Sequence, residues 1–429
     1  MNLGKMKLNK EEIILFKEKA LHWASQFNVC MLLDNNFSEN ACGLHDIEFM
    51  LAAGVKREIK CDIGNAFQNL KRFIPKDLGN NQHPVFGYFS YDLKNEIEKL
   101  NSSHHNGIGF SDLYFFEPLH YLSIDKNGNI NGEEHLVQII NGISVRNNFK
   151  KLSIKLTERV HRNEYINNVE SIRQHIIEGD VYELNYCVEF FAKEVEIDPA
   201  NVYSLLTKIS PTPFASFFKY NDQFLMCASP ERFIKKQGDK LFSQPIKGTI
   251  KRGVSDEEDE LLKHELLNSE KERAENLMIV DLVRNDLARS SKTGSVDVDE
   301  LFGIYSFKHV HQMISTISST LNEEIHFVDA IKNAFPMGSM TGAPKISAMQ
   351  LIEKFELTKR GLYSGAVGYI LPNTDFDFNV VIRSMQYNST TKYLSYEVGS
   401  AITFDSDPAQ EYDECLLKAQ AIIDVIESL

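Results

Sequence analysis

The chain of 429 residues is 43% hydrophobic and 25% charged, which is typical of a globular protein, and its length suggests about two or three domains or one large duplicated domain. Its formal net charge of −14 argues against nonspecific nucleic-acid binding, which requires a basic face. No apolar run approaches the roughly 18–20 residues of a membrane span, and the first residues lack the features of a signal peptide. We therefore expect a cytoplasmic protein that binds neither nucleic acid nor membrane.

The first predicted element is a helix over 10–27, where apolar residues recur at helical spacing. Short strands and turns follow to about residue 155, and a second helix is predicted over 163–179. Strand-like runs cover 181–250, and the charged stretch 254–289 predicts one long helix with acidic residues in its first turns. The remaining predicted elements are a strand at 308–320, a helix after Pro344, strands at 362–371, 377–386 and 393–404, and a helix at 409–428.

Helices and strands mix without strict alternation, which favours an α+β fold over a doubly wound parallel sheet. A loose boundary near residue 155 divides a turn-rich region, 1–155, from a region denser in candidate motifs, 156–429, and we expect the two to pack as one unit. The cysteines form no CxxC pair, so we expect free thiols and no zinc site. They are Cys30, Cys42, Cys61, Cys187, Cys227 and Cys415.

Two predicted helices each carry a Glu-x-x-Glu pair, Glu272 with Glu275 and Glu411 with Glu414. This spacing places both carboxylates of a pair on one helix face. Four carboxylates on facing helices would suit Mg²⁺, which prefers oxygen ligands. On spacing alone, however, two solvated helix faces are the commoner explanation, so both interpretations stay open at this level.

The segment PIKGT places Lys247 between a strand and a loop. A lysine held in an apolar pocket can lose its proton and act as a nucleophile, but an isolated lysine is far more often an exposed residue. The segment SPERF places Glu231 beside Arg232, before Lys247 in the chain. The carboxyl group of Glu231 could perform acid–base chemistry, whereas a surface ion pair with Arg232 is the commoner alternative.

Two glycine-containing segments are candidates for binding an anion. GSMTGAPK, which ends at Lys345, is rich in small residues and precedes a predicted helix, so it is either an anion-binding turn or a merely flexible one. The same alternatives apply to Gly399 and Ser400 at the end of a predicted strand. Arg383, in VIRSM, is a candidate for clamping a carboxylate.

These signals gain specificity from their order along the chain. The order is SPERF, PIKGT, KERAENLMIVDLVRNDL, VHQMISTI, GSMTGAPK, RGLYSGAVGY, VIRSM and DSDPAQEYDE. It resembles the chorismate-binding family, whose members include the large subunits of anthranilate synthase and aminodeoxychorismate synthase, isochorismate synthases and salicylate synthases. The resemblance is strong over 160–427 and thinner over 1–155. It implies an α+β fold of two large β-sheets packed on each other and flanked by helices, with chorismate as the substrate.

The resemblance also implies catalytic roles. Lys247 would attack C2 of chorismate as a covalent nucleophile, while Glu231 protonates the leaving C4 hydroxyl. A lysine at position 247 is similar to aminodeoxychorismate synthase, whereas anthranilate synthases usually have alanine there. Ammonia would then attack C4 and expel the lysine, giving 4-amino-4-deoxychorismate for 4-aminobenzoate and folate biosynthesis. The alternatives are anthranilate synthase activity, which releases pyruvate, and a non-catalytic chorismate-binding partner protein.

The same resemblance gives the glutamate pairs a metal-binding role. Glu275 and Glu414 match direct ligands of Mg²⁺, and Glu272 and Glu411 match supporting carboxylates that act through water. The cation would bridge to the ring carboxylate of chorismate. The positions that match groups around the substrate are Gly248, Thr249, Tyr363, Arg383, Gly399, Ser400 and, as a nearby positive charge, Lys345.

Several positions depart from the family pattern. Glu183 stands where anthranilate and aminodeoxychorismate synthases usually have glutamine, and where isochorismate and salicylate synthases have a lysine, so it argues against the last two activities. Gln312 replaces a histidine linked to pyruvate loss, and its neighbour His311 should face the other way on a strand. Ala401 replaces a glycine beside the substrate. Asn35 replaces a serine of the tryptophan pocket in feedback-inhibited members, so tryptophan inhibition is not expected.

The chain has no GxCxG nucleophile elbow of a glutaminase. The resemblance therefore implies a separate glutamine amidotransferase subunit that delivers ammonia, in a heterodimer. The chain also ends directly after the last family helix, so we expect another enzyme to form 4-aminobenzoate.

Overall fold

The structure, a computed structural model, describes residues 7–38, 44, 46–76, 83–145 and 154–429, and Cys42 lies outside them. A capping box starts the first helix, because Asn9 and Glu12 each accept a hydrogen bond from the other's backbone amide. The helices are α1 Lys10–Ala24, α2 Ala66–Phe73, α3 Lys94–Ile97, α4 Glu134–Asn141, α5 Arg162–Ile177, α6 Pro199–Ile209, α7 Asp256–Asn268, α8 Glu270–Ala288, α9 Phe327–Ala334, α10 Lys345–Phe355 and α11 Pro408–Ser428.

The strands of the described chain all pair antiparallel to their neighbours. Such pairing allows short hairpin connections, so no helical crossover is needed between them. The strands are β1 Val29–Asp34, β2 Ile47–Cys61, β3 Val85–Phe89, β4 Leu113–Asp125, β5 Ile130–Gly132, β6 Thr157–Glu158, β7 Glu183–Ala192, β8 Phe214–Tyr220, β9 Gln223–Ser229, β10 Arg232–Gln237, β11 Lys240–Gln244, β12 Ile246–Lys251, β13 Asp297–Ser306, β14 Val310–Thr320, β15 Gly342–Ala343, β16 Ala366–Ile370, β17 Phe376–Asn379, β18 Ser384–Asn388 and β19 Tyr393–Ile402.

The predicted long helix over 254–289 is wrong, because the segment forms two helices, α7 and α8, that meet at Ser269. The backbone of Ser269 is extended, with φ −65° and ψ 113°, and its hydroxyl accepts a hydrogen bond from the amide of Glu272. A serine in this position starts a new helix by satisfying an otherwise unpaired amide. The predicted strand-like region 181–250 likewise contains one helix, α6.

Hydrogen bonds join the described strands into one continuous network. Its path runs β13–β14–β11–β10–β17–β16–β3–β4–β2–β1–β8–β9–β18–β19–β7, with β12 beside β14, β5 beside β4, and β6 and β15 beside β7. Strand β4 pairs with both β2 and β3, so it joins one half of the network to the other.

The two halves of this network pack face to face across an aromatic core. The ring of Phe218 in β8 lies 5.3 Å from that of Tyr88 in β3 and 5.9 Å from that of Tyr114 in β4. The same core takes residues of β1, β2, β8 and β9 from one half and of β3, β4 and β16 from the other. This arrangement confirms the predicted fold of two large packed β-sheets.

Helices cover the outer face of each half, which confirms the α+β class. Helices α1, α4, α5, α6, α10 and α11 share a core with one half, while α2, α8 and α9 share a core with the other. None of the described helices is both long and apolar enough to cross a membrane. The five cysteines within the described chain are free thiols. Because β1 pairs with β8 and β3 with β16, strands from both sides of residue 155 interleave, and a boundary there stays a prediction.

The core between the two halves gives a test of the fold. Phe218 is fully buried, so Phe218→Ala should lower the free energy of unfolding by about 3–5 kcal/mol through lost burial and a residual cavity. The same substitution at Phe404, which is 59% exposed, should change it by less than about 0.5 kcal/mol. Urea titrations would measure both, and equal effects at the two sites would contradict a shared core.

Candidate active site

Lys247 in β12 forms a buried ion pair with Glu183, the first residue of β7. Its Nζ lies 2.6 Å from Oε1 of Glu183, and the two side chains are 10% and 1% exposed. The second carboxylate oxygen of Glu183, Oε2, is buried and has no hydrogen-bond partner in the described structure. The residue that departs most from the family pattern therefore contacts the predicted nucleophile directly.

The charge state of Lys247 is set by the acids around it. Burial opposes the positive charge, but Glu183 favours it strongly, and Glu275 and Glu231 add to that effect, so the pKa of Lys247 is raised above its usual value. At neutral pH the side chain is thus an ammonium group. Any nucleophilic use of Lys247 requires that one proton be removed first.

Glu231 lies between β9 and β10 and is 4% exposed. Burial raises its pKa to about 7, while Lys247 and neighbouring hydrogen-bond donors oppose the rise. A carboxyl group with this pKa can both donate and accept a proton near neutrality, which is what a general acid–base catalyst requires.

The alternative of a surface ion pair between Glu231 and Arg232 is wrong. The guanidinium of Arg232 is buried and makes two hydrogen bonds of 2.9 Å with the carboxylate of Asp377. Because Arg232 lies in β10 and Asp377 in the neighbouring strand β17, the interaction fastens one strand to the next. Arg232 therefore has a structural role that is separate from its neighbour's chemistry.

The four predicted metal-side glutamates surround one lysine. Glu272 and Glu275 lie near the start of α8, and Glu411 and Glu414 lie near the start of α11. Burial lowers the pKa of Lys271, but all four carboxylates raise it and outweigh the burial. The two helices therefore bring their glutamates into one electrostatic cluster.

The donor chemistry of this cluster fits a hard divalent cation. Burial raises the pKa of Glu275 to about 7, and repulsion from Glu183 and Glu272 adds to the rise. A cation held by carboxylate oxygens would relieve that repulsion. The glutamate oxygens are not gathered at one point, however: in the described chain, the group with three potential ligand atoms within 4.8 Å of one another is His175, Glu178 and Asp180. Binding of Mg²⁺ by the glutamates stays a prediction.

Gly248 allows the PIKGT turn to approach α8. Its φ is +93°, and a Cβ at this position would lie 3.0 Å from Oε2 of Glu272 and 3.3 Å from the Cβ of Glu272. Only glycine adopts this conformation without strain. The predicted substrate contacts Gly248 and Thr249 therefore lie at the edge of the glutamate cluster, and Thr249 is exposed.

Asn276, which is not among the predicted site residues, fixes the backbone of the nucleophile. Its amide donates to the carbonyl of Lys247 at 3.5 Å, and its own oxygen accepts from the hydroxyl of Ser315 at 2.6 Å. These contacts tie β12 to α8 and β14. The available signal was its position four residues after Glu272, because residues four apart lie on the same helix face.

His311 and Gln312 are neighbours on β14 with different surroundings. The buried ring of His311 places Nε2 2.9 Å from Asp259 and Nδ1 2.8 Å from Ser306. Gln312 lies opposite Thr249 in the pairing of β12 with β14. Both ring nitrogens of His311 therefore form hydrogen bonds, one to α7 and one to β13.

Arg383 is the residue predicted to clamp a substrate carboxylate, and that role stays a prediction. It has φ +53°, and its guanidinium donates to the backbone carbonyl of Lys418 at 2.7 Å. Burial lowers its pKa, while Tyr363 and Glu414 oppose the change. No ion pair joins Arg383 to a carboxylate of the described chain. Tyr363 is buried and interacts electrostatically with Arg383, and its contact with a substrate stays a prediction.

Gly399 and Ser400 contribute backbone rather than side chain to this region. A Cβ on Gly399 would lie 2.5 Å from Sγ of Cys187, and the carbonyl of Gly399 accepts a 3.2 Å hydrogen bond from Lys418. The hydroxyl of Ser400 is fully buried and lies 3.0 Å from that of Tyr165. A substrate contact by Ser400 would therefore have to use its backbone.

Lys345 forms a buried ion pair with Asp286. Its ammonium lies 2.6 Å from Oδ2 of Asp286, and the two side chains are 10% and 4% exposed. The pair fastens the start of α10 to α8. Asp286 and Glu231 both line a cavity of about 20 Å³, which is room for about one water molecule.

A larger cavity, of about 180 Å³, lies away from Lys247, where β1 and β2 approach β10 and β17. Its lining includes Asp34, Asn35, Lys235 and Asp375, and none of the residues predicted to bind chorismate or metal lines it. Size alone therefore does not mark the active site. The cluster of interacting acids and lysines is the candidate active site, because such perturbed groups are typical of catalytic sites.

Comparison with known proteins assigns the chain to a family. A model described as chorismate binding enzyme matches residues 30–424. The chain belongs to the chorismate-binding enzyme family. The matched segment contains every residue predicted here for catalysis, metal binding or substrate binding.

The chain resembles relatives that are named for two different activities. A chloroplastic aminodeoxychorismate synthase of Arabidopsis thaliana is 43% identical over 263 residues, covering 61% of this chain and 28% of that protein. Anthranilate synthase component 1 of Acetivibrio thermocellus is 31% identical over 416 residues, covering 87% and 82%. The structure of anthranilate synthase component I from Streptococcus pneumoniae superposes with a TM-score of 0.77 at 27% identity, covering 88% and 92%. The chain spans about a third or less of the length of its plant relatives.

Breaking the Lys345–Asp286 ion pair tests whether Lys345 has a structural or a substrate-binding role. Lys345→Met leaves a buried carboxylate without its partner and should lower the free energy of unfolding by about 3–5 kcal/mol. Lys263→Met, which breaks an ion pair whose partner Glu260 is 73% exposed, should cost less than about 1 kcal/mol. Chemical denaturation measures both. Unchanged stability with a raised KM for chorismate would instead favour a substrate contact.

Proposed function

We propose that the chain is the chorismate-using component of an aminodeoxychorismate synthase, which converts chorismate and ammonia to 4-amino-4-deoxychorismate. The observation that carries this proposal is Lys247, which lies buried among acids, 2.6 Å from Glu183. Anthranilate synthases of the family usually have alanine at this position. The identity of 43% to a relative named aminodeoxychorismate synthase supports the same choice.

The reaction divides between a nucleophile and an acid. Lys247, as a free amine, attacks C2 of chorismate, and the ring electrons shift to expel the C4 hydroxyl, which leaves as water on a proton from Glu231. Ammonia then attacks C4 and expels the lysine, and Glu231 takes a proton from the new ammonium group. A carboxyl group with a pKa near 7 suits both roles of Glu231. The ring keeps its enolpyruvyl group throughout.

Substrate binding must overcome electrostatic repulsion, because chorismate is an anion and the chain carries a net charge of −14. Arg383 supplies a guanidinium for one carboxylate. Glu275 and Glu414 would hold Mg²⁺, with Glu272 and Glu411 in support. When bound, Mg²⁺ supplies positive charge that offsets the ring carboxylate of the substrate. Backbone groups of Gly248, Thr249, Gly399 and Ser400 would complete the contacts.

The source of ammonia lies outside this chain. We propose a separate glutamine amidotransferase subunit that forms a heterodimer with it, and a cytoplasmic place for the reaction within folate biosynthesis. The chain purified together with a candidate glutaminase should form product when glutamine is supplied. The isolated chain should form product only when ammonium salts are supplied.

Anthranilate synthase component I is the second candidate, because relatives of that name match more of this chain's length. It predicts release of pyruvate, which the first candidate does not. The two therefore differ in one product that is simple to measure.

Product identity tests the choice. The protein, incubated with chorismate, Mg²⁺ and ammonium, should give 4-amino-4-deoxychorismate by liquid chromatography and no pyruvate in an assay coupled to lactate dehydrogenase. Added aminodeoxychorismate lyase should then release pyruvate and 4-aminobenzoate. Pyruvate and anthranilate in the absence of lyase would favour the second candidate. Chorismate binding without any turnover would favour a non-catalytic partner protein.

The covalent role of Lys247 can be tested without removing its charge. Lys247→Arg keeps a cation beside Glu183, but arginine does not lose its proton in proteins. We expect the rate of product formation to fall at least about 100-fold, with no chorismate-derived adduct on the variant by intact-protein mass spectrometry. An adduct should be trapped on the wild-type chain. Substantial activity in Lys247→Arg would rule out covalent catalysis by this residue.

A further inference from the structure

Glu183 is held in place by its backbone as well as by its side chain. It lies opposite Ala343 in the pairing of β7 with β15, and a Cβ on Gly342 would come within 2.1 Å of its carbonyl oxygen. Only glycine at 342 therefore allows this approach. The backbone at the start of β7 is therefore held against the GSMTGAPK segment, and the side chain of Glu183 is buried in contact with Lys247.

Several carboxylates face Lys247, but one touches it. Glu275 and Glu272 approach from α8, Glu231 from the turn between β9 and β10, and Glu414 from α11. Among the described side chains, Nζ of Lys247 donates a hydrogen bond to Oε1 of Glu183, at 2.6 Å. Oε2 of Glu183, buried and without a hydrogen-bond partner, leaves the carboxylate able to accept one proton.

A buried ion pair of this kind adds little to stability, because removing both charges from water costs about as much as their attraction returns. The pair also holds Lys247 in the form that cannot attack carbon. A role in the reaction accounts for both properties, since a base in direct contact can convert the ammonium to an amine without solvent.

We propose that Glu183 is the proton acceptor that converts Lys247 to its nucleophilic amine. This inference rests on the proposed function, in which Lys247 forms a covalent intermediate. It gives Glu183 a catalytic role at the position where related synthases usually have glutamine, which cannot accept a proton in this way.

The proton balance closes over one turnover. One proton moves from Nζ of Lys247 to Glu183, and the freed electron pair forms the bond from Nζ to C2 while the C4–O bond breaks. When ammonia adds at C4, the C2–N bond breaks and its electron pair returns to Nζ. The neutral amine then regains the proton from Glu183. The separate proton cycle through Glu231 converts the leaving hydroxyl to water and the entering ammonia to an amine.

The kinetic test compares the wild-type chain with Glu183→Gln from pH 6.5 to 9.5. The ratio of the two kcat values at each pH cancels groups common to both, including Glu231. We expect the wild type to be about 100-fold faster at the acidic end and the ratio to shrink as pH rises, because Lys247 without its carboxylate partner loses its proton more readily. A purely structural role would give a ratio that does not depend on pH.

A second measurement does not depend on turnover. Acetic anhydride modifies free amines, so the pH dependence of Lys247 acetylation, followed by peptide mass spectrometry, reports its titration directly. We expect Lys247 to become reactive at lower pH in Glu183→Gln than in the wild type. The matched control is Glu48→Gln, which breaks the buried Lys17–Glu48 pair elsewhere in the fold and should leave Lys247 acetylation and the kcat profile unchanged.

The outcomes separate this inference from the function on which it rests. A wild type that forms 4-amino-4-deoxychorismate, with a pH-independent rate ratio or unchanged Lys247 acetylation in Glu183→Gln, overturns the role of Glu183 and leaves the function standing. A wild type that forms a different product overturns the proposed function, and unchanged acetylation would then overturn the coupling of Glu183 to Lys247 as well. A shifted acetylation profile together with a pH-dependent ratio supports both.

Discussion

The contact between Lys247 and Glu183 is the interaction on which the candidate site depends. It joins β12 to β7, and these strands lie in different halves of the strand network, one beside β14 and the other at its far end. The ammonium interacts with carboxylates from several elements at once, so its position depends on how the two halves pack together. The site therefore exists only when the whole fold is formed, and no single segment carries it.

Acidic side chains predominate in this region, as they do in the chain as a whole. Six glutamates interact with Lys247 or Lys271, although the substrate of the family is itself an anion. Repulsion among these carboxylates is reduced when cations lie close to them. The lysines, Arg383 and a divalent cation on α8 and α11 together would let the acids orient a substrate that they would otherwise repel.

Local patterns in the sequence predicted the features that depend on residues close together in the chain. Glu-x-x-Glu spacing placed each carboxylate pair on one helix, and the segments SPERF and PIKGT located Glu231 and Lys247. The break at Ser269 was missed because the charged stretch on both sides has the same helical character, and only the hydroxyl cap divides it. The partners of Lys247 and Lys345 could not be predicted, since they lie 64 and 59 positions away in the chain. Only the packed sheets bring them together.

The choice of glutamate at position 183 follows from what surrounds Lys247. A lysine nucleophile needs an apolar setting or a base, and this one has acids on several sides that keep it charged. Glutamine at 183 would remove one acid but would leave Glu275 and Glu231 to hold the proton on Nζ from a greater distance. A carboxylate in contact offers the shortest route for that proton, and it leaves Glu231 free for the oxygen at C4. Under the proposed mechanism, Glu183 and Glu231 would therefore have separate tasks: one would take the proton of Lys247, and the other would act at the C4 oxygen.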